Sequence, residues 1–68
     1  MTTYETENRI ANIALSAVRA GLTPISTRTM VSTVYTDPDQ CAEAEFVQDN
    51  LEEILETVDN LFKVLKRN

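Results

Sequence analysis

The sequence predicts an all-α protein, a helical hairpin that dimerises into a helix bundle. Apolar residues recur at alternating steps of four and three along residues 47–65, which is the pattern of one face of a helix. The single glycine and the two prolines divide the chain at residues 20–24 and 36–40. The 68 residues predict one domain, 1–68, near the lower size limit for a chain that folds without a disulfide, a metal or a partner.

The first segment predicts a helix over about residues 4–21. Thr2 or Thr3 can cap its start, Glu5 and Glu7 complement the helix dipole in the first turn, and Gly21 ends it. Its polar side chains fall into one wedge, and apolar residues cover well over half of the circumference. Such a wide apolar arc requires neighbours on more than one side.

The last segment predicts a continuous helix over about residues 38–67. Asp37 can cap it, Pro38 suits its first turn, and Gln40 completes a capping box. At 1.5 Å per residue, such a helix is about 45 Å long. Leu55 and Phe62 widen its apolar face to that of a bundle helix.

The middle segment, residues 24–35, shows neither a helical nor a strand period. Thr23 followed by Pro24 can start a helix, whereas the density of threonine, valine, isoleucine and tyrosine favours an extended segment. We expect a short helix or an irregular connector, because a lone strand would have no partner within the chain.

The apolar stripe of the long helix predicts self-association. The first helix, about 27 Å long, covers only part of that stripe, so the remainder is expected to meet another subunit. An antiparallel hairpin that dimerises into a larger bundle is the simplest closure. The predicted self-association residues are Val47, Leu51, Ile54, Val58, Leu61 and Leu65.

The charge is acidic and unevenly distributed. Six basic and eleven acidic residues give a net charge of −5, with no histidine. Residues 1–36 hold three arginines and two glutamates, a net of +1, and residues 37–68 hold nine acids and three bases, a net of −6. Nucleic acid and anionic lipid repel such a chain. We therefore expect the chain itself and a basic protein as partners, and no membrane.

The compartment predicted from the sequence is the cytoplasm. Cys41 is the only cysteine, so no internal disulfide is possible and a reducing compartment is the natural interpretation. The first ten residues are acidic where a signal peptide would be basic, and no apolar run approaches membrane-spanning length.

A second stripe on the long helix is acidic. Its functional interpretation is an anionic surface that docks a basic partner protein, and the alternative is a solvated face that keeps a small bundle soluble. Phe46 and Val64 lie on a flank and could anchor a partner, or pack against the middle segment or a second subunit. The residues of the acidic stripe are Glu45, Asp49, Glu52, Glu56 and Asp59.

No catalytic, metal-binding or cofactor motif is found in the sequence. The acidic stripe does not have the glycine-bearing spacing of a calcium loop, and a thin bundle offers little room for a pocket that shifts a carboxyl pKa. We expect a non-enzymatic protein-binding regulator, adaptor or inhibitor that acts as a helical homodimer. Small acidic helical proteins of phages and mobile elements are an analogy for this role.

The alternative hypothesis is a DNA-binding regulator that uses residues 17–34. This segment resembles a helix-turn-helix core, with Ala17, then Gly21 four residues later, then "STRTM", whose Ser26, Arg28 and Thr29 resemble the start of a recognition helix. We expect the insert "TPI" to lengthen the turn beyond the usual three or four residues. Within this segment Arg28 alone is expected to face phosphates.

Overall fold

The computed structural model describes the backbone of residues 3–66 and the side chains of residues 3–65. Its four helices are α1 (Thr3–Gly21), α2 (Pro24–Thr33), α3 (Ala44–Asp49) and α4 (Leu51–Lys66). No strand occurs in this described part of the chain, so the all-α prediction is confirmed.

The first helix has the predicted extent, and it ends in a tight turn. Leu22 follows Gly21 with a φ of 68°, a left-handed conformation in which a helix commonly terminates. The N–H of Leu22 donates to the carbonyl of Val18 at 3.2 Å, and that of Thr23 donates to the carbonyl of Gly21 at 2.8 Å. The chain therefore leaves α1 at once and can begin α2 two residues later.

The middle segment is helical over residues 24–33. The side chain of Thr23 accepts a hydrogen bond from the N–H of Ser26 at 3.2 Å, and Pro24 occupies the first turn, where its missing N–H costs nothing. Because Pro24 and Ile25 belong to α2, the turn consists of Leu22 and Thr23 alone. The expectation that "TPI" lengthens this turn was wrong.

The predicted continuous helix over residues 38–67 was also wrong. Residues 38–43 form turns, in which Asp37 accepts hydrogen bonds from the N–H of Asp39 and the side chain of Gln40, each at 2.9 Å. The residues predicted to cap a helix therefore close a local turn, a use of aspartate that competes with helix capping.

Asn50 separates α3 from α4. Its backbone has φ −123° and ψ 24°, outside the helical range, and its side-chain amide donates to the carbonyl of Phe46 at 2.9 Å. The Asn50 backbone N–H points to the carbonyls of both Phe46 and Val47, at 3.1 and 3.3 Å. Asparagine commonly bonds to nearby backbone in this way and interrupts a helix.

The predicted hairpin of two long helices is not confirmed, because all four helices of the chain share the core. The first half of α1 meets the start of the C-terminal region, where Arg9 contacts Glu43 and Phe46. Farther along, Val18 packs with Val58. Thus α1 and α4 are parallel, and α2 runs antiparallel to both.

The wide apolar arc of α1 contacts both α2 and the C-terminal helices, as its width requires. One part of the core contains residues of all of these helices, and the other joins α1 to the second half of α4. The first cluster is Ile10, Ile13, Ala17, Val31, Val47 and Ile54. The second is Ala14, Val18 and Val58, flanked by Leu61 and Phe62.

Replacing Gly21 by alanine should destabilise the protein. A Cβ at this position would lie 2.7 Å from the Cα of Thr27 and would overlap the Thr27 hydroxyl. We expect a loss of about 1–3 kcal/mol in the free energy of unfolding, typical of overpacking, measured by urea denaturation. Ser16→Ala, an exposed change on the same helix, should alter this free energy by less than about 0.5 kcal/mol.

The direction of the change in unfolding free energy distinguishes a closely packed glycine from an ordinary helical one. Within a helix, replacing glycine by alanine ordinarily stabilises by about 0.5–1 kcal/mol. A Gly21→Ala protein that is more stable than the wild type would therefore contradict the close approach of α1 and α2.

The hydrogen bonds of the turn at Asp37 predict a lowered pKa for the Asp37 carboxyl, which NMR can measure. The hydrogen bond from Gln40, followed by that from the N–H of Asp39, holds the pKa of the Asp37 carboxyl below its ordinary value. The corresponding stabilisation is present at neutral pH and is lost as the pH falls through this lowered pKa. In a carboxyl titration by NMR, Gln40→Ala should raise the pKa of Asp37, whereas Asn60→Ala, which removes an exposed amide from α4, should not. An Asp37 pKa that is unchanged by Gln40→Ala would contradict the turn.

Candidate functional site

Large apolar side chains are left exposed at one end of the bundle, where α1 ends, α2 begins and α4 ends. We call this surface the apolar end. Relative exposure is 80% for both Leu22 and Ile25, 63% for Val64 and 53% for Leu65. An open groove of about 370 Å³ lies within it, lined by Leu22, Thr23, Pro24, Phe62 and Leu65. The apolar end consists of Leu22, Pro24, Ile25, Phe62, Val64 and Leu65.

Local backbone geometry creates this surface. The left-handed Leu22 turns the chain sharply after Gly21, and its own side chain is left 80% exposed. Thr23 then starts α2 by capping, so Ile25 falls in the first turn of α2. Of the other large apolar side chains that the structure describes, Tyr4 and Leu15 are exposed singly along α1. Exposure of large apolar groups is therefore concentrated at the apolar end.

Basic side chains accompany the apolar end. Arg19 is exposed in the last turn of α1 and Lys63 is exposed on α4. Arg28, one turn after Ile25, pairs with Asp59 of α4 at 2.7 Å. Both members of this pair are almost half exposed, so the pair contributes roughly 0–1 kcal/mol to stability. It nevertheless positions Arg28 beside α4.

The predicted acidic stripe is exposed, but it is not one continuous helical face. Glu45 and Asp49 lie on α3, whereas Glu52 and Glu56 lie on α4 beyond the break at Asn50. Asp59, predicted to belong to the same face, is paired with Arg28. Four of the five predicted carboxylates are therefore exposed and available to a partner, and the fifth ties α4 to α2.

The predicted self-association stripe lies mostly inside the chain. Val47, Ile54 and Val58 have no exposed surface, and Leu51 and Leu61 are half-buried. Leu65 is its one exposed member. A second subunit is therefore needed to cover this stripe only near Leu65, and the homodimer remains a prediction.

The two predicted interface anchors occupy different environments. Phe46 is half-buried beside the core, and the guanidinium of Arg9 lies 3.9 Å from the centre of its ring. Arg9 also pairs with Glu43 at 2.9 Å. Phe46 therefore connects α1 to α3, whereas Val64 is exposed at the apolar end.

A second groove, of about 400 Å³, lies between α1 and the turns before α3. Burial, followed by the nearby Cys41, raises the pKa of the Tyr35 phenol in this groove, so the phenol is protonated at neutral pH. The carboxylate in this groove, that of Glu43, is paired with Arg9 at 2.9 Å. The groove is lined by Arg9, Asn12, Ile13, Ser16, Tyr35, Cys41, Glu43 and Val47.

Metal-binding clusters and membrane-spanning helices are both absent from the residues that the structure describes. Among those residues, no group of three or more histidine, cysteine, aspartate or glutamate side chains is placed to hold a metal ion. In the same range, no helix is both long enough and apolar enough to cross a membrane.

The segment that resembles a helix-turn-helix core adopts a helix, a short turn and a second helix. Thr27 and Val31 of α2 are buried, whereas Ser26, Arg28 and Thr29 are exposed. These three are the residues likened to the start of a recognition helix. Arg28 is held by Asp59, which neutralises the cation expected to face phosphates.

Neither a family model, nor a curated protein, nor a solved structure matches this chain.

Proposed function

We propose that this chain is a non-enzymatic regulator or adaptor that works by binding another protein through its apolar end. The observation that carries the proposal is the exposure of Leu22, Ile25, Val64 and Leu65 at one end of the bundle, where Leu22 and Leu65 line a common groove. Clustered exposed apolar residues on a small domain are typical of an interaction site, whereas single exposed apolar residues are ordinary.

Energetics support the same interpretation. Burying a leucine, isoleucine or valine side chain is worth roughly 1.5–3 kcal/mol, and this chain leaves four of them at least half exposed at one end. A partner that covers them gains that free energy. Such buried apolar anchors commonly supply most of the affinity of an interface.

The acidic stripe belongs to this proposal in a narrower form, and a homodimer becomes a competing use of the same surface. Because Val47, Ile54 and Val58 are covered within one chain, a homodimer formed through Leu65 would compete with the partner for the apolar end. The exposed Glu45, Asp49, Glu52 and Glu56 offer a second surface to a basic protein.

The proposal is tested with a double variant, Leu22→Asn with Leu65→Gln. Asparagine tolerates the left-handed backbone at position 22 and glutamine suits a helix, so the free energy of unfolding should change by less than about 0.5 kcal/mol. Proteins captured from the source cell would be identified, purified and titrated against the chain by calorimetry. The double variant should bind the true partner about thirtyfold more weakly, as expected for the loss of an interface anchor.

Tyr4→Gln is the matched control, because it also removes an exposed apolar side chain, but from the first turns of α1. It should bind the partner like the wild type. The proposal would be contradicted if every purified partner bound the double variant as tightly as it binds the wild type.

DNA binding is the second candidate, and the succession of α1, a turn and α2 favours it. The net charge of −5 and the pairing of Arg28 with Asp59 oppose it. We expect a flat titration with a mixed-sequence duplex at about 50 mM salt, where electrostatic binding is strong. Saturable binding that Arg19→Ala and Arg28→Ala both abolish would establish this second candidate instead.

A further inference from the structure

We infer that the apolar end accepts an acidic, amphipathic segment of a partner protein. This inference rests on the proposed function, because it specifies the chemistry of the partner that the apolar end binds. Two independent features of the structure support it: the segregation of charge along the bundle and the concave shape of the apolar surface.

Charge is segregated between the two ends of the molecule. Arg19 and Lys63 are exposed beside the apolar end, and Arg28 lies there paired with Asp59. Lys66 and Arg67 follow Leu65 in the sequence, but Arg67 and the side chain of Lys66 lie outside the described residues. Of the four basic side chains that the structure describes, Arg9 alone lies elsewhere, paired with Glu43.

The acids are distributed in the opposite way. Asp59 is paired with Arg28 beside the apolar end, whereas most other carboxylates belong to the start of α1, the turns before α3, α3 itself and the first half of α4. A partner segment that carries carboxylates beside its apolar residues would therefore match the apolar end and be repelled from the rest of the surface. Complementarity of this kind selects partners and speeds association.

The groove indicates that the occupant is a peptide segment. Its volume of about 370 Å³ is at the small end of ligand pockets, and it is open. Leu22 and Pro24 line it from the α1–α2 turn, and Phe62 and Leu65 line it from α4. Apolar side chains on one face of a helix can enter such a cleft while their polar neighbours contact the rim, as in helix-in-groove recognition.

Charge disfavours the two other possible occupants. A second copy that pairs end to end would bring Arg19 and Lys63 of both molecules to one rim, a juxtaposition of like charges. An anionic lipid surface would attract the basic side chains, but it would also repel a chain of net charge −5 and would not fill a concave groove.

Selection from a displayed library of random peptides tests the inference. The purified full-length chain is the bait, and the selected peptides are synthesised and titrated by fluorescence anisotropy. We expect peptides that combine two or more large apolar residues with a net negative charge, and dissociation constants in the micromolar range, about 1–100 μM. The Leu22→Asn and Leu65→Gln double variant should weaken their binding about tenfold or more, and Tyr4→Gln should not.

Charge reversal separates this inference from the proposed function. Lys63→Glu should weaken the selected peptides severalfold at low salt and much less at high salt, because rim charges are screened. Selected peptides that depend on Leu22 and Leu65 but carry no excess of acid would overturn the inference and leave the proposed function standing. Peptides that ignore the double variant would overturn both.

Two further measurements test the two other possible occupants, a second copy of the chain and a lipid surface. In sedimentation, a dimer that the double variant dissociates would identify a second copy as the occupant and overturn the inference. In flotation with vesicles of phosphatidylserine and phosphatidylcholine, binding that the double variant abolishes would identify a lipid surface and overturn it. We expect neither effect.

Discussion

The close approach of α1 and α2 at Gly21 and Thr27 is the constraint on which the rest of the structure depends. Thr27 is fully buried, and its hydroxyl occupies the space that a Cβ at position 21 would need. Among the described residues, this hydroxyl oxygen is the buried side-chain polar atom without a hydrogen-bond partner, a penalty of about 1–3 kcal/mol. Ala14 and Ala17 of α1 are also fully buried. The close crossing of α1 and α2 therefore lets a third helix, α4, contact the same apolar arc of α1.

This packing changes what the molecule presents to others. Three helices around α1 cover the residues that a two-helix hairpin would have left open, so the core closes within one chain at Val47, Ile54 and Val58. The apolar surface that remains uncovered lies at the end of the bundle, where the tight turn after Gly21 and the last turns of α4 extend beyond the core. The proposed binding surface therefore consists of helix ends and a turn, which a regular helix face does not include.

The sequence predicted those elements whose signals are local and do not conflict. The bounds of α1 follow from an acidic first turn and a terminating glycine, and the exposure of Glu45, Asp49, Glu52 and Glu56 follows from their helical spacing. The break at Asn50 was not predicted, because an asparagine at a single position is compatible with a helix until its side chain takes the carbonyl of Phe46. Asp37 was misinterpreted because the same residue can cap a helix or close a turn.

The apolar end was predicted only in part. Leu65 and Val64 were recognised on the helical pattern, whereas Ile25 lies in the segment 24–35, which has no clear period, and Leu22 follows the glycine that ends the first helix. A glycine followed by leucine, threonine and proline was the available signal: it marks a helix end, a cap and a new helix start within four residues. What it does not reveal is which helix lies opposite, because the parallel course of α1 and α4 depends on contacts far apart in the sequence.

Methyl relaxation by a soluble paramagnetic probe tests the central claim most directly, at a concentration where sedimentation shows a single chain. If the four helices of one chain close the core, the methyl signals of Val47, Ile54 and Val58 should be protected, and those of Leu22, Ile25 and Leu65 should be strongly broadened. Equal broadening of both groups, or protection of the first group only when the chain associates, would contradict the account.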